Sequence, residues 1–229
     1  MKIFGVGMNY PQHNKPTRNA LYKREEPVVF TKSDSALLKN HKPFFLPDWT
    51  GRVDYEAQLV VRISRLGKGI PERFAHRYYD AVTVGIDFTA RNLLLKAQQE
   101  GLPWTAAKDF DGSAVIGDWV DLEPGEAKPG EPGEAKPGEP GEATASGSLP
   151  SVNDLHFRLD VNGTTVQQGF SGDLCWTVDA LIAHLSRFFT LKTGDLLFTG
   201  TPPGWGAASI DDHLEGWLEG RKVLDFYCK

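Results

Sequence analysis

The segment V-D-Y-E-A-Q-L at 53–59 runs straight into V-V-R-I-S. The two-residue period of a strand puts Glu56 and Gln58 on one face, with Tyr55, Ala57 and Leu59 on the other. An acid and an amide side by side offer two oxygen donors, the kind that hard cations such as Mg²⁺ or Mn²⁺ take. Asp87 is a third donor, ending the run A-V-T-V-G-I-D where a strand gives way to a helix. Lys108, in L-P-W-T-A-A-K-D-F, is a cation that can face the same place. Each residue also has a plainer reading: a solvated strand face for Glu56 and Gln58, a helix cap for Asp87, a surface position for Lys108.

Other chemistries find no support. Gly5-x-Gly7 follows a strand, but Tyr10 stands where a dinucleotide fingerprint needs its third glycine. Gly169-Phe170-Ser171-Gly172 is not a nucleophile elbow. The six histidines, at 13, 41, 76, 156, 184 and 213, show no H-E-x-x-H and no pair at ligand spacing.

The net charge of −5 is uneven: six glutamates and two lysines in 123–142 carry −4, leaving −1 for the rest of the chain. A nucleic-acid partner needs a basic face, so it is not expected. No run is apolar for long enough to span a membrane, and M-K-I-F-G-V-G-M-N-Y is too short and glycine-broken for a signal peptide. Two distant cysteines, Cys175 and Cys228, read as reduced thiols of a cytoplasmic protein.

The elements that must position these residues follow from periodicity. Strands are expected near Lys2–Val6, Val28–Lys32, Val53–Ile63, Val82–Asp87, Val115–Val120, Leu155–Val161, Asp195–Phe198 and Lys222–Tyr227. Helices are expected over Pro71–Tyr79, Thr89 to about Gln99, and Thr177 to about Arg187, the last with Leu181, His184, Leu185 and Phe188 on one face. Strands outnumber helices without regular alternation, which reads as one β-rich α+β domain over residues 1–229. P-G-E-A-K-P-G-E at 124–131 recurs unchanged at 132–139, so 123–150 reads as a surface insertion.

Five motifs in order carry a resemblance. They are Tyr55-Glu56-x-Gln58-Leu59, Gly85-Ile86-Asp87-Phe88-Thr89-Ala90-Arg91, Gly101-Leu102-Pro103-Trp104-Thr105-x-Ala107-Lys108, Val161-Asn162-Gly163 with Gln167, and Thr199-Gly200-Thr201-Pro202-x-Gly204-x-Gly206. Together they resemble the fumarylacetoacetate hydrolase family, in its short acylpyruvase-like or 2-hydroxyhepta-2,4-diene-1,7-dioate isomerase-like branch. Gly5-x-Gly7-x-Asn9-Tyr10-x-x-His13 and Phe30-x-Lys32 fit as well.

The resemblance implies a mixed β-roll, a homodimer, and Mg²⁺ or Mn²⁺ on Glu56, Gln58 and Asp87. That metal would act as a Lewis acid toward a small 2-oxo acid. Lys108 would stabilise the developing enolate, and His13, in an N-terminal segment (1–40) that is a candidate lid, would be the general base. Asn9, Tyr10, Arg91, Gln167, Gly200 and Thr201 would contact the substrate; of Arg62, Arg65 and Arg91, the last follows Asp87 by one helical turn.

The chain departs from the family pattern in two places. Gln58 replaces the second acid of an E-x-E pair, removing one negative charge and weakening metal affinity. Pro16 stands where the branch has a glutamate partner for the histidine, with Met8 where relatives often carry arginine. The expected activity is metal-dependent hydrolysis or lysis of an acylpyruvate-like or dienoate acid. Isomerisation, tautomerisation or decarboxylation of an oxaloacetate-like acid on the same fold is the alternative. A degenerate homologue that binds a metabolite, or scaffolds a partner through the acidic insertion, is the third reading.

Overall fold

The computed structural model describes residues 1–11, 25–123, 149 and 151–229. His13, Pro16 and the proline–glycine–glutamate repeat lie outside the described residues.

The first strands are β1 (Ile3–Gly7), β2 (Val28–Lys32), β3 (Leu37–Leu38), β4 (Val53–Tyr55), β5 (Ala57–Ile63), β6 (Tyr79–Asp87) and β7 (Thr89–Ala90). Then come β8 (Ala114–Ile116), β9 (Val120–Asp121), β10 (His156–Val161) and β11 (Thr164–Phe170). The last are β12 (Leu196–Phe198), β13 (Gly206–Ala207), β14 (His213–Leu218) and β15 (Arg221–Tyr227). The main sheet runs β2-β1-β12-β5-β6-β8-β3, with β9 also on β6. The β1–β12 and β3–β8 pairs are parallel and the others antiparallel, so the sheet is mixed. Only residues 33–36 separate β2 from β3 at the opposite edge, so the sheet must curl until its edges approach. Lys32 Nζ makes that closure directly, donating to Ser113 Oγ (2.9 Å) just before β8. The expected β-rich roll is what forms.

A second sheet, β11-β10-β14-β15, packs on the first. Leu59, Val61 and Val84 share one core with Phe157, Leu159 and Leu224, while Val60, Ile116 and Phe198 fill a smaller core on the other face. β5 is thus covered on both sides, which is why its sequence is nearly continuous in apolar residues and not alternating.

Three helices serve the frame: α1 (Arg91–Glu100), α2 (Thr105–Lys108) and α3 (Val178–Phe188). Thr177 caps α3, its hydroxyl accepting from Ala180 N (3.2 Å). Val178, Leu181, Ile182 and Leu185 form the buried face of α3; His184 is only half-buried and Phe188 points to solvent, so the expected face is rotated by one step. The segment 71–79 forms a 3-10 helix, Glu72–Tyr78, packed against α3.

Three boundaries differ from expectation. The 53–63 strand is broken at Glu56, and 115–120 divides into β8 and β9. The helix expected at Thr89 begins at Arg91, because Thr89 and Ala90 pair with Asp54 and Val53 instead. Besides the two-residue β3, β7 and β13, two longer strands were not expected, β11 and β14. Each belongs to a two-residue hairpin whose loop sits at positive φ: Asn162 (51°) with Gly163 (75°), and Glu219 (47°) with Gly220 (76°).

Candidate active site

β5 and β6 run antiparallel, and Asp87 N donates to Glu56 O (2.9 Å) where the 53–63 strand breaks. Across the break Glu56 and Gln58 still share a face, and both reach the cluster around Asp87. None of the three oxygen donors is solvated: exposure is 7% for Glu56, 1% for Gln58 and 0% for Asp87. Lys108, at the end of α2, is 4% exposed. Burial overturns the plainer readings of Glu56, Gln58 and Lys108, since acids and lysines this deep must be paired. Asp87 caps no helix, because Ala90 holds the cap position of α1.

Lys108 Nζ donates to Glu56 Oε2 (2.9 Å), Asp87 Oδ2 (2.7 Å) and Thr89 Oγ1 (2.6 Å). The other oxygen of each acid has its own cation. Arg91 donates to Glu56 Oε1 (2.6 Å), and Lys32 Nζ lies 2.8 Å from Asp87 Oδ1, an ion pair without hydrogen-bond angles. Arg91 also donates to Asp54 Oδ2 (2.6 Å), so three carboxylates face three largely buried bases in one network, with the half-exposed Arg52 on the other Asp54 oxygen (2.6 Å). Arg91 reaches the network from the first residue of α1 while Asp87 ends β6; the two are not one helical turn apart on a shared helix.

The electrostatics follow. Burial would raise the Glu56 carboxyl, but Lys108 and Arg91 outweigh it and hold it below the ordinary value. Burial would lower Lys108, but Asp87 and Glu56 outweigh it and hold the ammonium above its ordinary value. Burial prevails at Lys32, lowering it against the pull of Asp87, with Lys108 adding to the depression.

Gln58 completes the cluster. Its Oε1 accepts from Gly200 N (2.7 Å), and its Nε2 donates to Asp87 Oδ2 (3.2 Å). Gly200 holds φ +113°, and a Cβ there would press on Asn9. The Asn9 amide donates to Thr199 O (2.7 Å) and Trp176 O (3.0 Å) and accepts from Trp176 N (2.8 Å), so it pins the turn. Gln167 accepts from Ala57 N (2.9 Å) and donates to Thr201 Oγ1 (2.9 Å), tying the strand break to the same turn. Tyr10 is buried, its hydroxyl donating to Phe170 O (3.2 Å), away from the cluster.

Glu56, Gln58, Asp87, Arg91, Lys108 and Gly200 are thus brought into contact, and Asn9, Gln167 and Thr201 brace them. Four partners went unassigned in the sequence. Lys32 and Asp54 are charged residues in apolar strands. Phe30 lies 5.0 Å from Lys108 Nζ, and Trp205 stacks 4.3 Å from the Arg91 guanidinium. The available signal was V-V-F-T-K and the D-x-E-x-Q alternation.

The donor set has the chemistry for a hard divalent cation: Glu56 Oε2, Asp87 Oδ2 and the Gln58 carbonyl, all oxygens and all buried. It fits one only when Lys108 gives up its place, since that ammonium holds both carboxylate oxygens.

This curled mixed sheet, with a buried acid–lysine cluster beside a glycine turn, defines a class, and the comparisons name it. Residues 2–226 match the family described as fumarylacetoacetate (FAA) hydrolase C-terminal, and the chain belongs to that family. It is 30% identical over 224 residues to the mitochondrial oxaloacetate tautomerase FAHD1 of Rattus norvegicus, covering 98% of this chain and 90% of that one. The structure of fumarylpyruvate hydrolase from Pseudomonas aeruginosa in complex with Mn²⁺ and pyruvate is similar at TM-score 0.81 and 28% identity, covering 100% and 89%. The 2-hydroxyhepta-2,4-diene-1,7-dioate isomerase of Mycobacterium marinum is similar at TM-score 0.75 and 26% identity, covering 99% and 73%. Among the described residues, no helix is long and apolar enough to cross a membrane, and Cys175 and Cys228 are both free thiols.

Proposed function

We propose that this chain is an enzyme that enolises a small 2-oxo acid, with tautomerisation of an oxaloacetate-like dicarboxylic acid as its reaction. The observation that carries the reading is Lys108: a buried ammonium, held charged by two acids, at the meeting point of β5, β6 and the Gly200 turn. When a C3 proton leaves a 2-oxo acid, negative charge moves to the 2-oxo oxygen. A fixed, desolvated ammonium stabilises that charge more than water does. Arg91 and Lys32 hold Glu56 and Asp87 in place by their outer oxygens, so Lys108 is supplied with two fixed partners. The Thr201 hydroxyl is the polar group of the turn offered to the substrate carboxylate.

Glu56, Asp87 and Gln58 would hold a divalent cation, Mg²⁺ or Mn²⁺, whose chemistry when bound is to polarise the 2-oxo acid as a Lewis acid. His13 is the residue proposed as base. Tautomerisation is preferred to C–C hydrolysis because it needs no activated water, and Pro16 removes the acid expected to orient His13. The similarity to fumarylpyruvate hydrolase supports hydrolysis of an acylpyruvate as the second reading. A homodimer in the cytoplasm is also proposed. Exposed Phe45 (71%) and Trp49 (52%) support self-association, and the free thiols support the location.

The test follows the enol absorbance of oxaloacetate relaxing to the keto form, with product masses and EDTA-treated controls. Accelerated relaxation with an intact carbon skeleton is expected; two product acids from an acylpyruvate would shift the assignment to hydrolysis, and no acceleration of either would overturn the reading.

A further inference from the structure

We propose that Lys108 and a divalent cation are alternative occupants of one position, the pair Glu56 Oε2 and Asp87 Oδ2, and that a dianionic 2-oxo acid drives the exchange. This inference rests on the functional reading above. Arg91 holds Glu56 Oε1 and Lys32 faces Asp87 Oδ1, so each acid has one oxygen left to give, and Lys108 holds both at 2.9 and 2.7 Å. A cation that bridges the acids must take those same two oxygens.

Gln58 tips the balance toward the lysine. Its Oε1 accepts from Gly200 N with one lone pair, and toward Asp87 Oδ2 it turns its neutral amide N–H, donating at 3.2 Å. A glutamate here would keep one oxygen on Gly200 N and point the other at Asp87, two like charges that demand a cation between them. With glutamine, Glu56, Asp87 and Asp54 already have cationic partners on every oxygen, Arg52 among them. A divalent cation arriving alone adds two uncompensated charges to a buried site, which is costly. A cation arriving with a dianion adds none, and the displaced Lys108 ammonium gains the dianion as its new partner.

The test titrates Mn²⁺ into metal-stripped protein by calorimetry and by the loss of the free Mn²⁺ EPR signal, with and without oxalate, for wild type, Lys108→Met and the control Lys222→Met. Wild type is expected to bind Mn²⁺ alone weakly and on the order of tenfold or more tighter with oxalate. Lys108→Met should bind Mn²⁺ alone on the order of tenfold tighter than wild type, with a smaller gain from oxalate; Lys222→Met should match wild type. If Lys108→Met does not fold, the crystal structure of wild type with Mn²⁺ and oxalate decides. The 2.7 Å contact between Lys108 and Asp87 should be broken there, and its survival beside bound Mn²⁺ would overturn the exchange. Wild type that binds the Mn²⁺–oxalate pair while Lys108→Met binds Mn²⁺ no tighter overturns the exchange alone. Wild type that binds neither Mn²⁺ nor the pair overturns the metal-assisted reading together with it.

Discussion

Two clusters in this molecule are built from the same parts. In the main sheet Lys108 bridges Glu56 and Asp87 at 2.9 and 2.7 Å; on the second sheet Lys222 bridges Glu215 and Asp225 at 3.1 and 2.7 Å, with His213 Nε2 2.7 Å from Asp225. Residue types and distances hardly separate them. Burial does: the Lys108 side chain is 5% exposed and that of Lys222 41%. Water and salt dilute the second cluster, so its charges lean on solvent as much as on each other. In the first, every charge depends on its neighbours, which is the condition under which a fixed ammonium can answer charge developing on a substrate.

Equivalent truncations should expose the difference most sharply. Lys108→Met leaves two buried acids facing each other and is expected to cost about 3–5 kcal/mol in urea unfolding, with loss of turnover. Lys222→Met is expected to lower stability only slightly and to leave turnover unchanged; equal losses would mean that burial is not what distinguishes the clusters.

A smaller effect should reach the buried cluster alone, through packing. A Cβ at Gly5 would overlap the Phe30 ring, which lies over Lys108. Gly5→Ala is expected to cost about 1–3 kcal/mol by overpacking, read as a shift in unfolding midpoint, and to lower turnover. Full activity in a destabilised Gly5→Ala would show that Phe30 does not position Lys108.

Acid separates the clusters by salt. Glu56 is held below its ordinary 4.5, so its contribution is present above that value and lost as pH falls through the lowered folded value. Asp225, lowered by hydrogen bonds from Lys222 and His213, follows the same sign from 3.8 downward. Repeating the acid titration of stability in 1 M salt should shrink the Asp225 share and spare that of Glu56. Uniform screening would contradict the buried assignment.

The smallest effect is alkaline and has no ion pair behind it. Burial, with Asp212 adding, pushes the Cys228 thiol from 9.0 up to about 12. A raised folded value favours the neutral thiol, so its stability is present below pH 9 and lost as pH rises toward 12. Cys228→Ala should flatten that part of the pH–stability curve, and an unchanged slope would assign it to the raised phenols of Tyr10 and Tyr79.

The main sheet was legible because β2, β5 and β6 are apolar runs with clear ends. β11 was hidden because T-T-V-Q-Q-G-F carries a glycine and two glutamines, although Asn162-Gly163 marks the turn before it. Within the site, Glu56, Gln58, Asp87 and Lys108 could be picked out as polar residues in apolar context. Their mutual arrangement could not be, because the break at Glu56 depends on Gln167 reaching Ala57 N from a strand 110 residues away. Lys32 was invisible as a partner for the same reason: it meets Asp87 only because the sheet curls on itself.

The most direct test of an enolising site is deuterium exchange at C3 of pyruvate in D₂O with Mn²⁺ present, followed by NMR for wild type and Lys108→Met. Wild type is predicted to catalyse the exchange, and Lys108→Met to lose it by about a hundredfold or more. Exchange at the wild-type rate in folded Lys108→Met, or no catalysed exchange by wild type, would contradict the account.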